Sequence, residues 1–168
     1  MPKVQRFFLE LKKKKASNND IIFPKNTKIY LEIEKDININ KFFYRQVGKD
    51  HFWRDRLLWS DNEWKNYIDN KNLETYIMKI NGNLVGFYEQ EFHSNKNEIE
   101  LIQMGILKEY QGKKLGSFLL KYIIQKALRK DIERLWVHTC SLDHKFALNN
   151  YLSKGLKIFK QEEIEYTF

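Results

Sequence analysis

The apolar residues near the start of the chain recur with the period of a β-strand. Val4–Leu11 mixes β-branched, aromatic and polar residues, which predicts a first strand, and a polar loop over residues 12–20 is predicted to follow it. Residues 28–35 alternate strictly between apolar and polar side chains, as a strand with one buried face does. Two strands are therefore predicted before the first helix.

Helical spacing of apolar residues begins after residue 36. Apolar side chains from Ile39 to Val47 recur every three or four positions and stop at Gly48, which predicts a helix with a left-handed glycine cap. Ser60 and Glu63 form a capping box, in which each side chain accepts a hydrogen bond from a backbone N–H of the other residue. This pair predicts the start of a second helix.

A hairpin and a further strand are predicted in the middle of the chain. Asn81-Gly82 separates two apolar runs over 76–80 and 84–92, and Asn-Gly readily adopts the positive φ angles of a tight hairpin turn. Residues 98–107 predict the next strand. Within it, Gly105 indicates either a bulge or a place where another group approaches the backbone closely.

The last third of the chain predicts alternating helices and strands. The predicted elements are a helix over 115–129, a strand over 135–139, a helix over 143–154 closed by Gly155, and a final extended segment over 156–168. The full order is strand, helices, several strands, helix, strand, helix, strand. That order predicts an α/β or α+β domain with a mixed sheet.

Length and composition limit the possible classes of protein. The 168 residues are 42% hydrophobic, which suits one packed domain over 1–168. The single cysteine, Cys140, excludes an internal disulfide framework and a cysteine-clustered zinc site, and no metal is predicted. No stretch approaches the roughly 20 apolar residues of a membrane span, so we expect a cytoplasmic protein with no membrane partner.

The net charge of +8 favours an anionic partner, such as nucleic acid, acidic lipid or a phosphorylated cofactor. A basic nucleic-acid-binding module is therefore one alternative function. However, the lysines are dispersed between acidic residues, and only Lys12–Lys15 forms a run. Nucleic acid is accordingly not the expected partner.

Residues 108–117 combine glycines, cations and the predicted start of a helix. A helix N-terminus presents unpaired N–H groups, so Gly112 and Gly116, with Lys113 and Lys114, predict an anion site. The alternative is that the two glycines only form a strand-to-helix turn and the lysines are solvated.

The segment Gln111-Gly112-Lys113-Lys114-Leu115-Gly116 resembles the acetyl-CoA loop of the GNAT superfamily of N-acetyltransferases, whose motif is Q/R-x-x-G-x-G/A. The first and last motif positions match, and Lys114 replaces the middle glycine, where we expect the loop to keep its shape with the lysine pointing outward. The resemblance implies that loop amides and the helix start hold the CoA pyrophosphate. The cofactor-binding residues that it implies are Ile106, Gln111, Gly112, Lys113, Lys114, Leu115, Gly116, Ser117 and His144.

Three further segments are similar to the same superfamily. Residues 52–64 and 136–144 resemble a bacterial branch of it, and Ala147, Tyr151 and Gly155 follow the spacing of its late helix. The resemblance therefore covers nearly the whole chain. It implies a GNAT-like α/β (α+β) fold, with a central mixed, mostly antiparallel, twisted sheet flanked by about four helices.

The resemblance also implies a reaction, direct acetyl transfer from acetyl-CoA to a primary amine on a small molecule or a protein. Tyr151 resembles the general acid, and the backbone N–H of Ile106 is the implied donor to the thioester carbonyl. Glu100 is the first candidate for a carboxylate base, and Glu98 and His138 are alternatives.

Trp53, Asp55 and Trp59 are the candidate residues for acceptor binding, with Asp55 placed to receive a cationic amine. The alternative is that the two tryptophans anchor the core while Arg56 pairs with a carboxylate. Cys140 is expected to be a core residue. A CoA-binding protein without catalysis is a further alternative, and the sequence leaves the acceptor and a homodimer open.

Overall fold

The structure, a computed structural model, describes residues 2–13 and 21–166. The strands in that part of the chain are β1 (Lys3–Lys12), β2 (Thr27–Leu31), β3 (Leu73–Ile80), β4 (Asn83–His93), β5 (Glu98–Ile106), β6 (Arg134–Cys140) and β7 (Lys157–Glu165). The helices are α1 (Ile37–Gly48), α2 (Asp61–Asp69), α3 (Leu115–Leu128) and α4 (Ala147–Ser153), with a 3₁₀ turn at Lys108–Tyr110.

The strands form one sheet in the order β2-β3-β4-β5-β6-β1-β7. Only β5 and β6 are parallel neighbours among the described strands, and the other pairs are antiparallel. The mixed, mostly antiparallel sheet with four helices is therefore confirmed. Residues 14–20 of the predicted polar loop, and residues 167 and 168 of the final predicted segment, lie outside the described residues.

Helices cover both faces of this sheet. Neighbouring residues of β3 illustrate the division, because Met78 packs in the cluster that includes α3 while Ile77 packs in the cluster that includes α1. Tyr151 of α4 belongs to the cluster on the α3 face. The cofactor loop and the predicted general acid are therefore on one side of the sheet, and α1 with the segment after it is on the other.

Two local predictions are confirmed in detail. Asn81 and Gly82 have φ angles of 51° and 79° at the turn between β3 and β4, as the hairpin signal requires. At the start of α2, the Ser60 hydroxyl accepts a hydrogen bond from the Glu63 N–H at 3.2 Å, and the Glu63 carboxylate accepts one from the Ser60 N–H at 2.7 Å. Both turns follow from short-range chemistry alone.

The predicted left-handed cap at Gly48 is wrong. Gly48 is the last residue of α1, and the C-cap residue, Lys49, has a right-handed φ of −58°. A Cβ atom added at Gly48 would lie only 2.5 Å from the Cβ atom of Trp53. The glycine is needed because the tryptophan of the following loop packs directly on the helix backbone.

Gly105 lies where another group approaches the backbone closely, which is the second of the two roles predicted for it. The bulge in β5 lies earlier, where Leu101 and Gln103 pair with adjacent residues of β4 and the residue between them is extra. Gly105 keeps regular register, but a Cβ atom there would lie 2.3 Å from a γ-methyl of Val47 in α1. Its absent side chain allows α1 to approach the sheet.

We predict that Gly105→Ala destabilises the protein by about 1–3 kcal/mol, because the added methyl group overpacks this contact. Urea unfolding of the single variant, of Val47→Ala and of the double variant measures the effect. The alanine at position 105 should cost much less in the Val47→Ala background. Strictly additive losses would mean that the two side chains do not compete for this space.

Two element boundaries differ from the predictions. The strand predicted over 28–35 ends at Leu31, and Ile33 is 75% exposed, so the alternating pattern continues beyond the paired residues. The helix predicted from Asp143 begins at Ala147. The Asp143 carboxylate instead accepts a hydrogen bond from the backbone N–H of Cys140 at 3.0 Å, which closes a turn before the helix.

Candidate active site

A cavity lies where the two parallel strands, β5 and β6, separate. The pairing of β5 with β6 ends at Leu101 and Val137, and beyond this point residues of both strands line a space of about 730 Å³. This volume falls in the usual range of small-molecule and cofactor sites. The α3 start, the loop after α1, the β6–α4 turn, α4 and the end of β7 complete its wall.

The loop that leads into α3 has the backbone of an anion site. Gly112 has a φ of 80°, a Cβ atom there would meet nothing within 4 Å, and the α3 N-terminus carries no side-chain cap from Lys114. The first N–H groups of a helix have no partner within the helix, and they carry partial positive charge. Gln111 fastens the loop to the sheet, since its side-chain amide donates to the Ile106 carbonyl at 3.1 Å.

Lys114 occupies the position where the resembling motif has glycine, and its φ of 60° is left-handed. This conformation favours glycine and costs roughly 1–2 kcal/mol for a residue with a Cβ atom. Lys114 is among the residues that line the cavity, and it is exposed to solvent. Lys113 does not line it, and its ammonium lies 5.6 Å from the centre of the Tyr110 ring.

Every other residue predicted for cofactor binding lines the cavity. These residues are Ile106, Gln111, Gly112, Leu115, Gly116, Ser117 and His144. The structure thus brings together side chains from β5, the loop, the α3 start and the β6–α4 turn.

The backbone N–H of Ile106 points into the separation between the strands. The next N–H, of Leu107, donates to the Val85 carbonyl on the β4 side at 2.8 Å. Successive N–H groups of a strand point to opposite edges, so the Ile106 N–H is directed towards β6, from which β5 has already parted. This geometry leaves a hydrogen-bond donor at the cavity wall.

Tyr151 lies on α4, lines the same cavity and is only 8% exposed. Burial, together with the nearby charge of Asp143, raises the pKa of its phenol above the ordinary value. The phenol is therefore protonated throughout the neutral range. A buried tyrosine with its proton in place is suited to donate that proton inside the cavity.

Asp143 connects the two walls of the cavity, and sequence reasoning missed it. One carboxylate oxygen accepts from the Thr139 hydroxyl at 2.5 Å and from the Cys140 N–H, while the other accepts from the Trp53 indole N–H at 3.3 Å. The turn before α4 is thereby tied to the loop after α1. The four-residue spacing of Thr139 and Asp143 was the only local signal.

The predicted acceptor-binding residues divide into two groups. Trp53 and Asp55 line the cavity, with Tyr44 and His51 beside them. Trp59 does not line it, because its ring packs on Trp64 and Tyr67, with centroids 5.1 and 5.5 Å away. Trp59 therefore packs among aromatic side chains, as the alternative interpretation of the tryptophans predicted, and does not line the acceptor site.

Arg56 forms an ion pair with a carboxylate, which is the role that the alternative interpretation of this segment predicted for it. Its guanidinium lies 3.2 Å from the fully buried carboxylate of Glu89 and 3.2 Å from the Tyr67 hydroxyl, which also hydrogen-bonds to Glu89. Nearby aromatic rings enclose the guanidinium. This cluster holds the segment that carries Asp55 against β4.

Glu100, the predicted base, is not among the residues that line the cavity. Its carboxylate lies 3.0 Å from the His93 imidazole. Glu91 completes a group with these two residues whose donor atoms lie within 4.8 Å of one another. Glu98 is engaged as well, since Arg134 donates to it at 2.7 Å.

His138 and Cys140 of β6 both line the cavity. Cys140 is only partly buried, so the prediction of a core residue is imperfect, and burial with the charge of Asp143 raises the pKa of its thiol. A thiol with a raised pKa is a poor nucleophile at neutral pH. His138 presents an exposed imidazole on the α1 side of the sheet.

Comparison with known proteins points to one family. The model described as the acetyltransferase (GNAT) family matches residues 30–155. A comparison with curated protein sequences gives no match. Among the described residues, no helix is long and apolar enough to cross a membrane.

Solved structures share the fold at low sequence identity. A conserved protein of unknown function from Staphylococcus epidermidis aligns with a TM-score of 0.62 at 19% identity, over 96% of this chain and 60% of the other, so this chain spans about three fifths of that relative. An aminoglycoside acetyltransferase from an uncultured soil metagenomic sample gives 0.63 at 16% identity, over 85% and 95%. A predicted acetyltransferase with acetyl-CoA from Clostridium acetobutylicum gives 0.62 at 15%, over 78% and 90%.

Proposed function

Because the chain belongs to the GNAT family of acetyltransferases, we propose that it transfers an acetyl group from acetyl-CoA directly to a primary amine of a small molecule or a protein. The observation that carries the proposal is one cavity that holds both an uncapped helix start and a buried tyrosine. The first suits a phosphorylated carrier and the second suits a leaving thiolate.

Acetyl-CoA supplies an activated thioester and an anionic pyrophosphate. The backbone N–H groups between Gly112 and Ser117 would hold the pyrophosphate, since they combine accessible donors with the positive end of the α3 dipole. Lys114 adds a cation at the cavity wall. The charge balance of +8 also favours approach of this multiply charged molecule.

Two groups that line the cavity would act on the thioester. The Ile106 N–H donates to the carbonyl oxygen and stabilises the negative charge that develops there, as an oxyanion-hole donor does. The Tyr151 phenol donates its proton to sulfur as the carbon–sulfur bond breaks. Both groups are held by regular elements, β5 and α4.

The acceptor would approach from the α1 side, where Trp53 and Asp55 line the cavity. The Asp55 carboxylate is exposed and can attract an ammonium group before its deprotonation. The aromatic ring of Trp53 is fixed by its contact with Gly48 and its hydrogen bond to Asp143. This arrangement favours a cationic amine whose carbon skeleton contacts an aromatic wall.

We predict that Gly112→Asp weakens acetyl-CoA binding at least about tenfold, because a carboxylate at the helix start repels the pyrophosphate. Isothermal titration calorimetry with acetyl-CoA and with dephospho-CoA measures this effect. Gly112→Asn is the matched control, since it has the same size and the same tolerance of a positive φ without the charge.

The asparagine variant should keep most of the affinity. Equal losses in the two variants would indicate a steric effect of the side chain instead of charge repulsion. Wild-type affinity in Gly112→Asp would show that this loop does not hold the pyrophosphate.

A further inference from the structure

The proposed reaction needs a group that removes a proton from the amine, and the two carboxylates predicted for this role are already engaged. Glu100 is hydrogen-bonded to His93 at 3.0 Å and lies outside the cavity wall. Glu98 is buried and bound by Arg134 at 2.7 Å. Neither carboxylate lines the cavity, whereas His138, the remaining candidate, does.

The bulge in β5 determines which residue follows Glu100 on the α1 face. Glu100 pairs with Glu91 of β4, and after the extra residue Gln103 pairs with Glu89, two positions earlier on the same face of β4. Gln103 is therefore the next side chain on that face of β5, and it lines the cavity. The position nearest the strand separation carries an amide and not a carboxylate.

His138 occupies the corresponding position on β6. Trp136 pairs with Glu100 across the parallel ladder, and His138 lies two residues further on, hence on the same face. The ladder ends between these positions, at Leu101 and Val137. Gln103 and His138 thus flank the strand separation from its two sides, on the α1 face of the sheet.

We propose that His138 is the base that takes the proton of the acceptor amine, and that the Gln103 side-chain oxygen accepts a hydrogen bond that holds the amine nitrogen beside it. This inference rests on the proposed acetyl transfer and specifies the residues that act on the acceptor. It replaces the carboxylate base that the family resemblance implied.

The Gln103 oxygen supports the proposal because it is buried without a hydrogen-bond partner among the residues that the structure describes. A buried acceptor left unpaired is unfavourable, so this site gains when a donor arrives. An ammonium or amine nitrogen is such a donor. Because this oxygen is buried, the Gln103 side chain, which lines the cavity, must rotate to present it to a donor there, and the unpaired acceptor favours that rotation.

The charges around His138 come from four elements. Partial desolvation and the guanidinium of Arg6 on β1 lower the pKa of the imidazole, while Glu100 on β5, Asp143 after β6 and Glu162 on β7 act in the opposite direction. The net effect is a pKa below the ordinary 6.5. His138 is accordingly neutral at pH 7, and a neutral imidazole can accept a proton.

The proton balance closes with these residues. His138 takes one proton from the ammonium and releases it to solvent through the cavity, which leaves a nitrogen lone pair to form the carbon–nitrogen bond. Tyr151 donates its proton to sulfur as the carbon–sulfur bond breaks with its electron pair on sulfur. The phenolate then recovers a proton from the nitrogen of the new amide. The net products are the acetylated amine, free CoA thiol and one proton.

The test is the pH profile of kcat/KM for the amine in the wild type and in His138→Gln, together with calorimetric titration of acetyl-CoA. The wild type should lose activity as the pH falls through the lowered pKa of His138. The variant should bind acetyl-CoA with wild-type affinity, which shows that it is folded, and should lose about 100-fold in kcat/KM at pH 7. Its profile should lack this acidic limb and rise towards the pKa of the amine itself.

Neighbouring charges test the assignment independently. Arg6→Gln removes a charge that lowers the pKa of His138, so the acidic limb should move to higher pH. Glu100→Gln removes a charge that raises it, so the limb should move to lower pH. A limb that persists in His138→Gln and disappears in Glu100→Gln would overturn the proposal and identify the carboxylate as the base.

Gln103→Met tests the positioning role, since it has a similar shape and no acceptor oxygen. We expect KM for the amine to rise at least tenfold, with the position of the acidic limb and the affinity for acetyl-CoA unchanged. An unaltered KM would contradict this part of the proposal. Failure of acetyl transfer altogether would instead appear as absent turnover in the wild type, which distinguishes it from a wrong base.

Discussion

Tyr151→Phe is expected to lower kcat by about 10²–10⁴-fold while the fold is retained, because the change removes only the proton that the leaving thiolate needs. The phenol is buried in the cavity, so water has little access to replace it. Its pKa is raised by burial and by Asp143, so no loss of activity from its ionisation should appear between pH 6 and 9. Steady-state kinetics at saturating acetyl-CoA measure the effect.

Tyr122→Phe is a suitable control, because this half-buried tyrosine of α3 packs against the core and lies outside the cavity wall. It should keep the wild-type kcat. The thermal midpoint of Tyr151→Phe and its affinity for acetyl-CoA should also match the wild type. A kcat within a factor of three of the wild-type value would remove Tyr151 from the mechanism.

Arg56→Met is expected to lower the free energy of unfolding by about 3–5 kcal/mol. The change leaves the carboxylate of Glu89, which is 0% exposed, without its cationic partner. Asn40 and Tyr67 still donate hydrogen bonds to it, but they carry no compensating charge. Chemical denaturation monitored by circular dichroism measures the loss.

The double variant Arg56→Met, Glu89→Gln separates charge burial from lost packing. It should recover much of the stability, because no unpaired charge remains in the interior. Losses of the same size in the single and the double variant would mean that Arg56 stabilises the protein through its aromatic contacts and not through the ion pair. In either variant, KM for the amine reports whether the loop that carries Asp55 has moved.

Short-range signals predicted most of the fold, because they depend on neighbouring residues only. The Ser60–Glu63 capping box and the Asn81-Gly82 turn each satisfy their backbone requirements locally, and both are present. Gly48 and Gly105 were harder, because the groups that exclude a side chain there, Trp53 and Val47, come from other elements. Contacts between elements that are distant in sequence cannot be predicted from the spacing of apolar residues along the chain.

The cofactor side of the site was more predictable than the acceptor side. The loop around Gly112 is one continuous segment, so its motif can be read directly from the sequence. The acceptor side joins separate strands and loops, and a one-residue bulge in β5 decides that Gln103, and not Ile102, follows Glu100 on the α1 face. No alternation pattern predicts the position of such a bulge.

The measurement that tests the account most directly is release of free CoA thiol from acetyl-CoA in the presence of a panel of primary amines. We predict saturable, amine-dependent release by the wild type, which Gly112→Asp impairs through acetyl-CoA affinity and Tyr151→Phe through kcat. Saturable binding of acetyl-CoA without thiol release for any amine would contradict the central claim. The chain would then be a CoA-binding protein that does not catalyse transfer.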